Sequence, residues 1–341
     1  MDSHFEKLAS PGLPGEQSTL WREPSELIQI SGSRLALWCE YPRLDGELDS
    51  TPWLVLHGGP GSRMGADLVQ PLRRTSSPWW GFDQRGSGLS EIANLPDLDT
   101  ERLVDDALAL AQHLGLRRFH VLGGSWGATL ALCLAARAPE QVASLVLRAP
   151  FIPFRPRVDA YLLSLKQRHE ALFIKAFGHD THCKPVCDLI QNGQAEQIEL
   201  ACRVWSFLDS SLLRNVPIDP AQGLPELSAE ELAAMVRKFK VQAHFLMHDC
   251  FISPQRWVDD VAAIHASAMP VSIVQGSADT VCPPGGARFL AEMLPLSQLI
   301  ELPNQGHLAG SPHMISALAQ AVQAHRRPTA KIMSLRSRKP Q

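Results

Sequence analysis

Ser125 stands in Gly123-Gly124-Ser125-Trp126-Gly127, a G-x-S-x-G pattern entered by the apolar run FHVLG and left by the helical pattern WGATLALCLAARA. A serine on a tight strand-to-helix turn is pushed into the open as a nucleophile. The turn leaves no room for a Cβ at positions 123 or 127, so glycine is required there for steric reasons. A helix that opens at the nucleophile also points free N–H groups and the positive end of its dipole at the negative charge of an acyl-transfer intermediate. The chemistry these residue types suggest is attack of Ser125 on a carbonyl carbon.

A tetrahedral oxyanion needs two backbone donors. The N–H of Trp126, directly after the nucleophile, is the first. The loop His57-Gly58-Gly59-Pro60-Gly61 supplies the second, at Gly59 or, failing that, at Gly58. His57 is placed to orient that loop. A phosphate cradle would need a Lys-Ser/Thr pair after the glycines, and none follows.

The elements that must position these residues alternate. LIQI (27–30) and RLALWCEY (34–41) flank Ser31-Gly32-Ser33 and read as an antiparallel hairpin. TPWLVLH (51–57), WWGFD (79–83), FHVLG (119–123) and VASLVLRAP (142–150) are short buried strands, and ERLVDDALALAQHLG (101–115) is an amphipathic helix. Residues 151–265 are helical patterns without a convincing strand. The alternation resumes with PVSIVQG (270–276), ARFLAEML (287–294), QLIELP (298–303) and MISALAQAVQAH (314–325). The fold class is α/β: a mostly parallel twisted sheet with helices on both faces and a helical cap domain, the α/β-hydrolase fold. The predicted organisation is a tail over 1–20, core over 21–150, cap over 151–265, core over 266–326 and a basic tail over 327–341. The cap belongs over the C-terminal edge of the strands, where such folds bind ligands.

That fold orders its catalytic residues as Ser, acid, His along the chain. The acid belongs after the strand PVSIVQG, which gives Asp279; the base belongs after QLIELP, which gives His307 among thirteen histidines. His307 removes the Ser125 proton and later protonates the leaving group, while Asp279 fixes the imidazole tautomer. This chemistry calls for no metal or organic cofactor. Asp180-x-His182-Cys183-x-x-x-Cys187 lacks the second ligand pair of a zinc site. Arg85 reaches the active site or braces its loop.

Composition narrows the partners. The 341 residues are 45% hydrophobic and 20% charged, with a formal net charge of −3, so neither nucleic acid nor an anionic membrane is expected. No apolar run nears the ~20 residues of a membrane span, and the polar N-terminus lacks a secretory core, so a cytoplasmic location is expected. Seven cysteines, an odd number, fit reduced thiols. The substrate is a small molecule or short peptide. Cap helices rich in Leu, Phe and Trp line either a pocket or a contact with a second copy of the chain, and both readings stay open.

These residues resemble the proline iminopeptidases (prolyl aminopeptidases). The resemblance rests on His57-Gly-Gly-Pro-Gly61, Asp83-Gln-Arg-Gly-Ser-Gly88 with Ser90, and Gly123-Gly-Ser-Trp-Gly-Ala-Thr-Leu-Ala-Leu132. Asp279-Thr-Val-Cys-Pro-Pro284 and Gly306-His307 complete it. It implies a metal-free intracellular serine peptidase that removes an N-terminal proline, and holds the substrate's free amine with two cap glutamates. Here the corresponding segments are Val204-Trp205-Ser206-Phe207-Leu208-Asp209 and Val241-Gln242-Ala243-His244-Phe245-Leu246. Trp205, Asp209 and Gln242 are thereby candidate substrate-binding residues. The shorter Asp209 and neutral Gln242 weaken or redirect selectivity for an imino terminus. A small ester, thioester or amide is the alternative substrate.

Overall fold

The computed structural model describes residues 23–40, 51–92, 94–219 and 223–326. The expected tails at 1–20 and 327–341 lie outside the described residues.

Eight strands form one sheet: β1 (Glu26–Ile30), β2 (Ser33–Glu40), β3 (Trp53–Leu56), β4 (Trp79–Phe82), β5 (Phe119–Gly124), β6 (Val142–Arg148), β7 (Val271–Gly276) and β8 (Gln298–Leu302). Their order across the sheet is β1-β2-β4-β3-β5-β6-β7-β8. β1 and β2 form the antiparallel hairpin, β2 runs antiparallel to β4, and every later neighbour is parallel. The central strands β3 and β5 are buried at every residue, as a parallel sheet covered on both faces requires.

The helices α1 (Ala66–Arg74) and α11 (Pro312–Arg326) cover one face, where Leu68, Leu72, Leu318 and Val322 pack on Val55, Val146 and Val274. The other face is covered by α2 (Thr100–His113), α3 (Trp126–Arg137), α9 (Pro254–Ala266) and α10 (Pro284–Met293). Asp99 caps α2, its side chain accepting from the Arg102 N–H, and the helix buries Leu103, Ala107 and Leu110 at the spacing read from the sequence.

Between β6 and β7 lie α4 (Arg155–Arg168), α5 (Glu170–Phe177), α6 (Cys183–Asn192), α7 (Ala195–Arg214) and α8 (Ala229–Met247), which pack on one another. α8 opens on a capping box between Ser228 and Glu231, which satisfies two backbone N–H groups at its start. The helical stretch that ends at 265 divides by role: α9 packs on α3 and α10 and so serves the sheet, while α4 to α8 pack among themselves. Trp257, Val261 and Ile264 of α9 join the core beneath the sheet for that reason. Among the described residues no helix is long and apolar enough to cross a membrane.

Candidate active site

Ser125 sits between β5 and α3 with φ 56° and ψ −120°. A serine held at positive φ costs roughly 1–3 kcal/mol and persists only where its surroundings dictate it. Here they do. The Ser125 N–H donates to the Arg148 carbonyl at 2.8 Å, and its carbonyl accepts from the Ala128 N–H at 3.0 Å. A Cβ on Gly123 would strike the Gly127 carbonyl, and one on Gly127 would strike the carbonyls of Leu56 and His57 at the end of β3. The two flanking glycines let the turn close against the neighbouring strand.

The loop after β3 meets this turn. A Cβ on Gly58 would lie 3.4 Å from the Ser125 Cβ, so the backbone of Gly58 approaches the nucleophile closely. His57 is buried; its Nε2 accepts from the Gln84 backbone N–H at 2.9 Å. That bond assigns the proton to Nδ1, which donates to the Gly58 carbonyl at 2.7 Å. Burial pulls the His57 pKa down to about 4, so the ring stays neutral near neutral pH. Gln84 returns a second bond, Nε2 to the His57 carbonyl at 2.8 Å, and its Oε1 accepts from the Trp126 indole N–H at 2.9 Å. One side chain therefore ties the glycine loop to the head of α3.

The loops after β7 and β8 are laced together: the Ala278 N–H donates to the Gln305 carbonyl at 2.9 Å, and the Asn304 N–H to Ser277 Oγ at 2.9 Å. They bring His307 Nδ1 within 2.8 Å of Asp279 Oδ2, with both residues buried. Asp279 Oδ1 accepts from the backbone N–H groups of Val281 and Cys282 at 2.9 and 2.8 Å, and Oδ2 also from Gln275 Nε2 at 3.3 Å. The carboxylate is thus fixed on both oxygens. Ser125 Oγ lies 3.9 Å from Cys282 Sγ, and among the described residues no hydrogen bond joins it to His307. Burial pushes the Cys282 thiol well up, which keeps that neighbour protonated and inert.

A cavity of about 280 Å³ lies between these loops and the helices α4, α7 and α8. Ser125, His307, Gly58 and Gly59 line it from the sheet side, and Asp209 and Gln242 from the helical side. The structure thereby gathers six of the residues picked out in the sequence round one space. Asp279 stands behind His307, and Trp126 lies fully buried under the turn. Trp205 is the exception. It is absent from the cavity wall and lies fully buried, donating its indole N–H to Tyr161 Oη at 3.0 Å. Tyr161 in turn donates to Asp209 Oδ1 at 2.7 Å. The reason is helical geometry: Trp205 and Asp209 are four apart on one face of α7, and Tyr161 fills the gap between Trp205 and the cavity.

Arg85 braces the loop. It pairs with Asp106 at 2.5 Å and takes no part in the cavity wall. The His182 side chain is exposed and faces Asp159 at 3.5 Å, whereas Cys183 and Cys187 are buried with their sulfurs 3.6 Å apart. Among the described residues no three His, Cys, Asp or Glu side chains are grouped to hold a metal.

Sequence reasoning missed four contributors. Arg148 ends β6, buried, and donates Nη1 to the His307 carbonyl. A charged residue closing the apolar run VASLVLR at the C-terminal edge of the sheet was its signal. Gln84 lay inside the Asp83-Gln-Arg segment. Tyr161 and Lys238 sit in helical patterns and carried no local signal.

The stretch 51–179 matches the family model described as the alpha/beta hydrolase fold. The chain is 30% identical over 294 residues to a proline iminopeptidase of Xanthomonas citri, covering 81% of this chain and 89% of that one. It is 28% identical over 316 residues to a proline iminopeptidase of Neisseria meningitidis serogroup A, covering 88% and 95%. Among solved structures it is similar to a proline iminopeptidase-related protein of Thermus thermophilus, with a TM-score of 0.56 and 22% identity over 90% of this chain and 99% of that one.

Proposed function

This chain belongs to the proline iminopeptidase family of α/β-hydrolases, and from that premise we propose that it is a serine hydrolase releasing an N-terminal residue, proline or a related one, from short peptides by a Ser125–His307–Asp279 acyl-enzyme mechanism. The observation that carries this reading is the shared cavity: Ser125 on its strained turn and His307, hydrogen-bonded to Asp279, face the same space.

In the proposed cycle the Ser125 hydroxyl attacks the carbonyl carbon as its proton passes to His307 Nε2. Asp279 holds the other ring nitrogen protonated and stabilises the imidazolium. The oxyanion is received by the N–H groups of Trp126 and Gly59, with Gly58 as the alternative donor. His307 then hands the proton to the leaving group. Water, deprotonated by the same ring, attacks the acyl enzyme and frees Ser125.

A second reading, hydrolysis of a small ester, thioester or amide, is favoured by one feature of the helical wall. Gln242 is neutral where the family resemblance implies a glutamate, and Asp209 already accepts a hydrogen bond from Tyr161.

The test is a panel of prolyl, alanyl and leucyl 4-nitroanilides beside short acyl 4-nitrophenyl esters, with fluorophosphonate labelling. Labelling that vanishes in Ser125→Ala is the expected result, and labelling that survives the substitution removes the mechanism. Preferred turnover of the prolyl anilide supports the aminopeptidase reading; ester turnover without anilide turnover selects the second.

A further inference from the structure

The charged side chains on the cavity wall are Arg63, Arg148 and Lys238 against Asp67 and Asp209, a formal surplus of one positive charge. An ammonium-binding pocket needs the opposite balance. Asp209 is further committed to the Tyr161 hydroxyl, 2.7 Å away.

Arg148 and Lys238 lie on opposite sides of the cavity, the first at the end of β6 and the second on α8. Arg148 is buried to 7% exposure, makes no ion pair among the described residues, and leaves its Nε without a hydrogen-bond partner. Its Nη1 meets only the His307 carbonyl. The fields of Asp279 and Asp67 offset part of this charge, and the Asp279 carboxylate is also taken up by His307, Gln275 and two backbone N–H groups. Lys238 lies one turn before Gln242 on α8, so the two side chains share a face. Its Nζ stands 4.9 Å from the Phe239 ring centroid and makes no ion pair among the described residues. The Gln242 amide likewise has no hydrogen-bond partner there, and lines the cavity beside it. A partly desolvated cation with no ion pair attracts an anion far more strongly than it would in water.

We propose that the acyl group taken by this cavity carries a distal carboxylate, received by Lys238 and the Gln242 amide within the positive field of Arg148. The substrate class is then a half-ester, half-thioester or half-amide of a small aliphatic dicarboxylic acid. This rests on the serine-hydrolase reading above and narrows its second form. The volume of about 280 Å³ is at the small end of ligand pockets, which favours a small acyl group. In the reaction Ser125 Oγ bonds to the proximal carbonyl carbon. The alcohol, thiol or amine departs with the proton relayed by His307, and water then releases the dicarboxylate.

Three esters of matched length separate the outcomes: 4-nitrophenyl hexanoate, mono(4-nitrophenyl) adipate and 4-nitrophenyl 6-aminohexanoate, assayed with the full chain after subtracting spontaneous hydrolysis. The adipate ester is expected to exceed hexanoate in kcat/KM by about tenfold, the size of one modest charge interaction, with 6-aminohexanoate lowest. Lys238→Glu, and Lys238→Met should the first variant not fold, are expected to remove the adipate preference, with the circular dichroism and urea midpoint of each variant serving as the check on folding. Equal rates on adipate and hexanoate, or a preference for the amino ester, overturn the proposal and leave the hydrolase intact. An adipate preference that survives both Lys238 variants overturns the placement of the anion. No turnover of any ester also overturns the proposal, and fluorophosphonate labelling then decides whether the hydrolase reading falls with it.

Discussion

Gln84 and His57 bind each other twice: the Gln84 backbone N–H donates to His57 Nε2 at 2.9 Å, and Gln84 Nε2 donates to the His57 carbonyl at 2.8 Å. The same amide accepts the Trp126 indole N–H, so one buried side chain sets the spacing between the two backbone segments assigned to the oxyanion. Gln84→Ala leaves the His57 carbonyl and the Trp126 indole unpaired. Each such orphan costs about 1–3 kcal/mol. The expected result is a lower urea midpoint together with a kcat about tenfold down and KM little changed, since an oxyanion donor acts mainly in the transition state. A raised KM at unchanged kcat would instead place Gln84 in substrate binding.

Glycines of the same type differ sharply in what they permit. A Cβ at Gly127 meets the backbone carbonyls of Leu56 and His57, whereas one at Gly285 on α10 meets nothing within 4 Å. Gly127→Ala is expected to lose more than about 3 kcal/mol, or to yield no folded protein, because backbone cannot move aside as a side chain can. Gly285→Ala is expected to be neutral or to stabilise by up to about 1 kcal/mol through helix propensity. Urea titration of the pair checks the turn geometry at the nucleophile. Similar midpoints for both would contradict the tight approach of α3 to β3.

Arg85 and Asp106 form a buried pair, with side-chain exposures of 7% and 0%. Burial raises the Asp106 pKa, and Arg85 acts against that rise. Removing one partner strands the other, at a cost of about 3–5 kcal/mol. Asp106→Ala is therefore expected to destabilise strongly, and the double variant Arg85→Met/Asp106→Leu to recover much of the loss. Neither residue lines the cavity, so kcat/KM of the folded double variant should stay within a few-fold of the parent. A larger fall in activity would mean that Arg85 does more than brace its loop.

What could be read from the chain was whatever is written locally. The turn at Ser125, the loop at His57 and the positions of Asp279 and His307 each follow from a strand, its terminating glycines and the next helix. The mostly parallel sheet follows from the alternation of those units, whereas the exchange of β3 and β4 in its order has no local mark. Contacts between residues far apart in sequence left no such mark. Arg148 meets the carbonyl of His307 across 159 positions, and Tyr161 meets Asp209 across 48. Trp205 illustrates the cost: aligned by sequence it looked like a wall residue, but packing put Tyr161 in front of it. The helix α1, with Pro71 inside it, gave no helical signal because proline removes a donor from the helix interior.

Acid should weaken the fold. His57, His120 and His325 have pKa values lowered from 6.5 to about 4, chiefly by burial. Between pH 6.5 and 4 the unfolded chain binds protons at these rings that the folded protein refuses, so stability falls as pH falls through that window. For fully buried His57 the full loss is on the order of 3 kcal/mol. Asp83, raised to about 7 by burial, acts in the opposite sense: its folded form holds a proton below pH 7 that the unfolded form releases down to 3.8. Asp106 and Asp260, also raised by burial, act with Asp83, while His244, lowered by burial, acts with the other rings, so that four rings stand against three carboxylates. The urea midpoint at pH 5 is expected below that at pH 7.5, and an equal or higher midpoint at pH 5 would show that these rings are not buried neutral.

Gln242 tests the helical wall one turn along α8 from Lys238. Its amide lines the cavity and has no hydrogen-bond partner among the described residues. Gln242→Glu places a carboxylate of nearly the same shape one helical turn from Lys238, on the same face of α8. The formal surplus of positive charge on the wall disappears, and a substrate ammonium gains a second carboxylate beside Asp209. Turnover of prolyl 4-nitroanilide should rise relative to a neutral ester of similar size by about tenfold, one charge interaction in a partly desolvated site. The ratio is the informative quantity, because a general loss of packing would lower both rates together. An unchanged ratio would place the amine elsewhere than at residue 242. A ratio that falls would mean that the neutral amide already serves free-amine substrates, and that the wall is not tuned against them.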